Sequence, residues 1–138
     1  MITLIKNDIS EKEYLYLRDK VGWVKLSKKQ TEAAIKNSLY IVKAVDEEGN
    51  IIGMGRIVGD GAVICYIQDL VVIPEAQGKG VGSLIINELV AYVKSIKEDE
   101  TTMMLCLMCA KGREKFYEKH KFIARPTDKL GPGMIQYL

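Results

Sequence analysis

The residues of this chain best suited to chemistry are a glycine-rich run, one carboxylate inside an apolar stretch and a lone histidine. The run is Gln77-Gly78-Lys79-Gly80-Val81-Gly82. The apolar stretch 63–73 precedes it and ends at Pro74. After it, Leu84, Ile85, Leu89, Val90, Val93 and Ile96 recur at the three- and four-residue intervals of a helix that buries one face. The order strand, glycine turn, helix leaves the first helical amides without intrahelical partners, and the positive end of the helix dipole faces the turn. An anion, most often a phosphate, fits there. Asp69 interrupts the apolar strand, where an unpaired carboxylate is expensive, so it is either hydrogen-bonded for structural reasons or functional. His120, the sole histidine, sits at the end of a short helical pattern. It reads as a helix-end cation before it reads as a base.

Spacing separates the phosphate loops that such a run could form. A Walker loop requires Gly-Lys-Ser/Thr after four intervening residues, and Lys79 instead lies inside the glycine cluster. A dinucleotide fingerprint requires a third glycine where Ser83 stands and an acidic residue ending the next strand, whereas Glu98, Asp99 and Glu100 precede that strand. The remaining pattern is Gln-x-x-Gly-x-Gly, filled by Gln77, Gly80 and Gly82. It resembles the pyrophosphate motif of the GCN5-related N-acetyltransferases. Two further stretches carry the same resemblance in the same order: Gln68-Asp69-Leu70-Val71-Val72-Ile73-Pro74-Glu75, similar to that family's fourth strand and its exit, and Phe116-Tyr117-Glu118-Lys119-His120-Lys121-Phe122, similar to its last-helix motif. The tail through Gly131-Pro132-Gly133-Met134 is similar to small bacterial members and to arylalkylamine-type acetyltransferases.

The resemblance implies acetyl-coenzyme A as co-substrate and no metal. It implies that the Gln77 side chain and the amides of Gly78, Lys79, Gly80, Val81, Gly82 and Ser83 hold the pyrophosphate. Main-chain groups of Leu70, Val71 and Val72 would pair with the pantetheine arm, and Tyr117 would lie at the thioester sulfur. The acceptor pocket would come from the first two helices, the hairpin and the last strands, with Arg56, Tyr66, Trp23 and Asp69 as residues that face it. Two positions depart from the family pattern. Ala110 replaces an asparagine that often contacts the cofactor, and Lys121 stands where a helix-ending glycine is usual. Lys121 must accept a left-handed conformation or change the turn.

Composition excludes several classes. At 138 residues the chain is expected to be one domain, 1–138, with a core that needs neither disulfide nor metal. Twenty basic residues against 18 acidic give a net charge of +2, too balanced for a strong nucleic-acid field. No apolar run reaches the roughly 18 residues needed to span a bilayer, and the N-terminus has no signal-peptide layout, so a cytoplasmic protein is expected. Three cysteines do not make a disulfide framework, and the C-x-x-C of Cys106 and Cys109 lies in an apolar strand, which reads as reduced core thiols.

The elements that must position the candidate residues follow from local pattern. Residues 2–5 read as a first strand, and Ser10 with Glu13 as a capping box opening a helix that Gly22 ends. Ser27 opens a second helix to 37, with Glu32 and Lys36 as an i,i+4 pair. Trp23, between the helices, is read as core ahead of pocket lining. Strands 39–45 and 51–58 form a hairpin, and a third strand covers 62–73. Gly53 and Gly55 read as places where another surface approaches the sheet. After the long helix come a strand at 101–109, a helix at 111–120, and strands at 122–124 and 134–138. The expected fold is α/β, a mixed and mostly antiparallel sheet of six or seven strands with helices on both faces.

Acetyl transfer to an amine needs a neutral nucleophile, and deprotonating an alkylammonium of pKa about 10.4 at pH 7 costs about 4 to 5 kcal/mol. Asp69, Glu75 and His120 are the available bases; Asp69 is taken as catalytic with Tyr117, whose phenol is protonated at neutral pH and suited to act as general acid on the departing thiolate. The expected activity is transfer of an acetyl group from acetyl-coenzyme A directly to the primary amine of a small molecule. Peptide or protein acetylation and a catalytically idle acyl-coenzyme A-binding module are the alternatives. Neither nucleic acid nor membrane is an expected partner, and a homodimer is compatible with the sequence.

Overall fold

A computed structural model describes residues 1–138 as two compact units, Met1–Cys106 and Leu107–Leu138. The first contains β1 (Thr3–Lys6), α1 (Glu11–Lys20), α2 (Lys28–Lys36), β2 (Tyr40–Val45), β3 (Ile51–Gly59), β4 (Ile64–Val72), a single 3₁₀ turn (Pro74–Ala76) and α3 (Val81–Ile96). A short β5 (Met104–Leu107) completes a five-stranded sheet in the order β1-β2-β3-β4-β5.

Local chemistry explains most of these boundaries. Ser10 accepts from the Glu13 amide at 3.0 Å while the Glu13 carboxylate accepts from the Ser10 amide at 2.9 Å, the reciprocal capping box read from the sequence. Ser27 and Gln30 make the same exchange for α2. The i,i+4 ion pair on α2 is Lys28–Glu32 at 3.7 Å in place of the expected Glu32–Lys36. β1 to β4 are joined by antiparallel ladders, and the sheet is mixed once β5 is added at the β4 edge.

Helix α3 lies on one face of this sheet and buries Val81, Ile85, Ile86, Leu89 and Val93, each worth about 1.5–3 kcal/mol of apolar burial. It approaches closely because β3 has glycines beneath it. A Cβ on Gly55 would sit 2.6 Å from both Ile85 Cγ2 and Leu89 Cδ1, and one on Gly53 would sit 2.8 Å from the Val71 carbonyl oxygen. The glycines of the β3 strand are therefore packing residues, as expected. On the opposite face, Arg56 of β3 reaches the Ala34 carbonyl at the end of α2.

The second unit holds α4 (Glu114–Lys119), shorter than the expected 111–120. Its C-terminus closes in a Schellman motif: the Phe122 amide donates to the Tyr117 carbonyl at 3.1 Å and the Lys121 amide to the Glu118 carbonyl at 2.9 Å. Lys121 takes φ 71° to do this, so the helix-ending turn forms and the chain accepts the strain of a left-handed lysine. Tyr117 and Phe122 meet edge to face at 5.9 Å, the apolar contact that accompanies such a cap.

The sheet has five strands, not six or seven. Residues 122–124 and 134–138 form no ladder. Pro126 and Pro132 lack amide donors, and the hydrogen bonds between them close a turn instead, with the Thr127 amide donating to the Leu130 carbonyl at 2.8 Å. Ile123, Met134, Tyr137 and Leu138 are exposed. Strand β5 also stops at Leu107, which leaves Cys109 exposed and not in the core where the sequence pattern placed it.

Candidate active site

The site begins where β4 ends. The 3₁₀ turn after Ile73 brings the chain to Gln77, whose side-chain amide donates to the Val72 carbonyl at 3.0 Å and ties the loop to the strand. Gly78 and Gly80 then adopt φ 77° and 83°, with nothing within 4 Å of where a Cβ would project. Positive φ at both turns successive amides toward one concave side. Gly80 is the N-cap of α3 and makes no side-chain cap bond, no acidic residue lies in the first turn, and the first helical bond runs from the Leu84 amide to the Gly80 carbonyl at 3.1 Å. The result is a bare backbone cradle at the positive end of a 16-residue helix dipole. A diphosphate group fits these residues because the glycines leave room for it and no local carboxylate or capping side chain competes with it.

Leading to the cradle is a strand with an open edge. β4 has nine residues and β5 only four; the Met104 amide donates to the Val63 carbonyl at 3.0 Å, so β5 accompanies only the first part of β4. On its other side β4 is bulged: Arg56 pairs with Asp69 but Ile57 pairs with Ile67, which leaves Gln68 as the extra residue. A bulge increases twist and bends its strand away from a regular ladder. Leu70, Val71 and Val72 thus belong to a stretch that β5 does not follow, and one carbonyl of this stretch, that of Val72, is engaged by Gln77.

Asp69 lies in the same stretch, only 1% exposed. Its Oδ2 accepts from the Tyr14 hydroxyl and, at 2.9 Å, from Arg56 Nε; Oδ1 accepts from Arg18 Nη1 at 3.3 Å. Arg56 also donates through Nη1 to Ser38 Oγ at 3.2 Å. Arg18 donates through Nη2 to the Val24 carbonyl at 3.0 Å and lies over the rings of Tyr14 and Trp23, 5.8 and 5.3 Å from their centroids. Burial first, and then the Asp69 carboxylate, push the Tyr14 phenol up to about 12. Removing one member of such a buried set typically costs about 3–5 kcal/mol, because the charge left behind is uncompensated. Trp23 is 38% exposed and forms an outer wall over Arg18, contrary to its reading as core. Tyr66 is half-buried on β4.

Sequence reading missed Tyr14 and Arg18 as site residues. The available signal was an aromatic and an arginine one helical turn apart on α1, flanking the fully buried Leu17.

Tyr117 is on α4 in the second unit, edge-on to Phe116 at 5.0 Å. Burial, with Cys109 as a lesser contributor and Arg113 opposing, raises its phenol to about 12, so the hydroxyl remains a proton donor throughout the neutral range. His120 caps α4, and burial followed by Lys119 lowers the pKa of its imidazole. Glu75 is held by Lys20, first by a hydrogen bond that keeps its carboxyl below the usual range.

No helix is long and apolar enough to cross a membrane. The Acetyltransferase (GNAT) family matches residues 7–122. Among solved structures, a probable acetyltransferase, SA2161 from Staphylococcus aureus, superposes with a TM-score of 0.85 at 29% identity, covering 99% of this chain and all of that one. The GNAT family protein SP0256 from Streptococcus pneumoniae gives 0.83 at 29% identity over 100% of this chain and 98% of that one. The uncharacterized N-acetyltransferase ycf52 of Pyropia yezoensis is 30% identical over 118 residues, 83% of this chain and 66% of that protein. Histone acetyltransferase TAP1 of Glycine max is 37% identical over 94 residues, 60% of this chain and 40% of that protein. The chain thus spans about two thirds or less of these two curated relatives. With the glycine cradle, the open edge of β4 and the matched residues in agreement, this chain belongs to the GNAT acetyltransferase family.

Proposed function

We propose that residues 1–138 act as one acetyltransferase domain, cytoplasmic in location, which moves an acetyl group from acetyl-coenzyme A directly to the primary amine of a small molecule. The observation that carries this reading is the continuity of the open β4 edge with the cradle at Gly78 and Gly80. In this reading the amides from Gly78 to Ser83 hold the pyrophosphate. The amides of the pantetheine arm pair with main-chain groups of Leu70, Val71 and Val72 as an added strand. An arm that starts at the cradle and runs along β4 carries its thioester away from the loop, toward Asp69 and Gln68. There the amine nitrogen attacks the thioester carbonyl, a C–N bond forms, the C–S bond breaks, and Tyr117 gives its proton to the leaving sulfur.

In this reading Asp69 is a positioning residue, where the sequence suggested a base. Its two oxygens are already engaged by three donors, the Tyr14 hydroxyl, Arg56 and Arg18. It is assigned here as the residue that positions Tyr14, Arg18 and Arg56. The ammonium proton then leaves to water, so activity should rise with pH toward the acceptor's own pKa, about 10.4 for an alkylamine. Tyr117, raised to about 12, adds no alkaline decline below that value.

A Tyr117→Phe variant tests the assignment, because it keeps the ring and removes the donor. We expect kcat to fall about 10²- to 10⁴-fold with little change in affinity for acetyl-coenzyme A. Full turnover in the Phe variant would remove Tyr117 as the acid, and binding without turnover of any amine by the wild type would favour an idle acyl-coenzyme A module. The 37% identity to a histone acetyltransferase supports peptide acetylation as a second reading, and lysine-containing peptides belong in the same amine panel.

A further inference from the structure

We infer that the acceptor carries an anionic group, a carboxylate or a phosphate, close to its reactive amine, and that Arg18 reads it. The inference rests on the proposed acetyltransferase reading. Two guanidinium groups share one carboxylate beside the open stretch of β4: Arg18 and Arg56 each form an ion pair with Asp69 and with no other acid. Their side chains are only 13% and 9% exposed, so the excess positive charge is poorly solvated. Excess buried charge is costly, and a ligand anion that neutralises it is correspondingly favoured.

Of the two, Arg18 has donors to spare. Arg56 is spread over Asp69, Ser38 and the Ala34 carbonyl. Arg18 makes one long bond to Asp69 and one bond to the Val24 carbonyl, and its Nε is buried with no hydrogen-bond partner. A guanidinium has five N–H donors in a planar fork suited to carboxylate and phosphate. The Tyr14 and Trp23 rings lie 5.8 and 5.3 Å from the guanidinium carbon, and Trp23 and Val24 are exposed on the connection between α1 and α2.

Placement links the fork to the reaction. Asp69 lies one residue from Leu70 in the stretch of β4 along which the thioester arm is laid, so Arg18, bonded to Asp69, belongs beside the end of the arm where the amine must arrive in that reading. Positive charge there also disfavours the ammonium form of the acceptor and promotes loss of its proton. The same charge works against wholly cationic acceptors such as polyamines and basic peptides.

Initial rates with acetyl-coenzyme A on two amine pairs test this: L-phenylalanine against phenethylamine for a carboxylate, and phosphoethanolamine against ethanolamine for a phosphate. In at least one pair the anionic member should be favoured tenfold or more in kcat/KM, and the responsive pair identifies the group. Arg18→Gln should abolish that preference, raising KM at least tenfold more for the anionic member than for its neutral counterpart, and Arg18→Lys, which keeps charge without the fork, should retain part of it. Trp23→Ala, at an exposed position outside the ion cluster, should raise KM for the anionic member while calorimetry shows unaltered binding of acetyl-coenzyme A. Equal rates within both pairs, or a preference that survives Arg18→Gln, would overturn the inference while leaving the acetyltransferase reading intact. Binding of acetyl-coenzyme A without acetylation of any amine would overturn both.

Discussion

Gly53 and Gly55 in β3 and Gly78 and Gly80 before α3 are the same residue in opposite circumstances. In the strand, an added Cβ meets protein atoms at 2.6 to 2.8 Å; in the loop it meets nothing within 4 Å, but the backbone stands at φ near 80°. The first pair lacks side chains so that α3 can lie against the sheet. The second pair, in the proposed reading, lacks them so that a pyrophosphate can lie against the backbone. A glycine whose missing Cβ admits its neighbours' atoms contributes to stability, and one that faces open space is available for recognition.

The sharpest way to break this comparison is Gly55→Val. Overpacking against Ile85 and Leu89 should cost about 3 kcal/mol, read as a lower denaturation midpoint, with the affinity of the remaining folded protein for acetyl-coenzyme A unchanged. An unaltered midpoint would mean that α3 does not rest on this glycine. Gly80→Asp should do the reverse. A side chain and a negative charge in the cradle should weaken acetyl-coenzyme A binding at least tenfold, about 1.4 kcal/mol, and by more than any loss of stability. Calorimetry giving wild-type affinity in a folded variant would refute the pyrophosphate assignment.

Lys121 extends the comparison to a position where positive φ is required and glycine is absent. Lys121→Gly should relieve about 1 kcal/mol of left-handed strain, partly offset by greater freedom in the unfolded chain, and so raise Tm slightly. A lower Tm would show that the lysine side chain contributes more than its backbone strain costs.

The smallest effect belongs to Asp60, whose carboxylate accepts from the amides of Ala62, Val63 and Ile64 at 2.8 to 3.0 Å. Those amides, Ile64 first, hold its carboxyl below the ordinary 3.8. A depressed pKa in the folded state means a stabilisation present above the unfolded value and lost as pH falls through the folded one. The stability difference between wild type and Asp60→Asn should therefore shrink below about pH 4. A constant difference across that range, measured by urea unfolding, would rule out the carboxylate charge as its source.

What was legible in the sequence was local. The capping boxes at Ser10 and Ser27, the apolar face of α3, the glycine cradle and the strained Lys121 turn all depend on residues three to six positions apart, where chain connectivity brings the groups together. What only the tertiary structure decided was long-range pairing. Asp69 reads from sequence as a carboxylate awaiting partners; Tyr14 and Arg18, 55 and 51 residues away, are among those it finds, and no local pattern connects them to it. Trp23 reads as core by size, yet its place is decided by the guanidinium it covers. The β-rich tail at 134–138 reads as a strand, but a strand exists only where another edge receives its hydrogen bonds, and among these 138 residues none does.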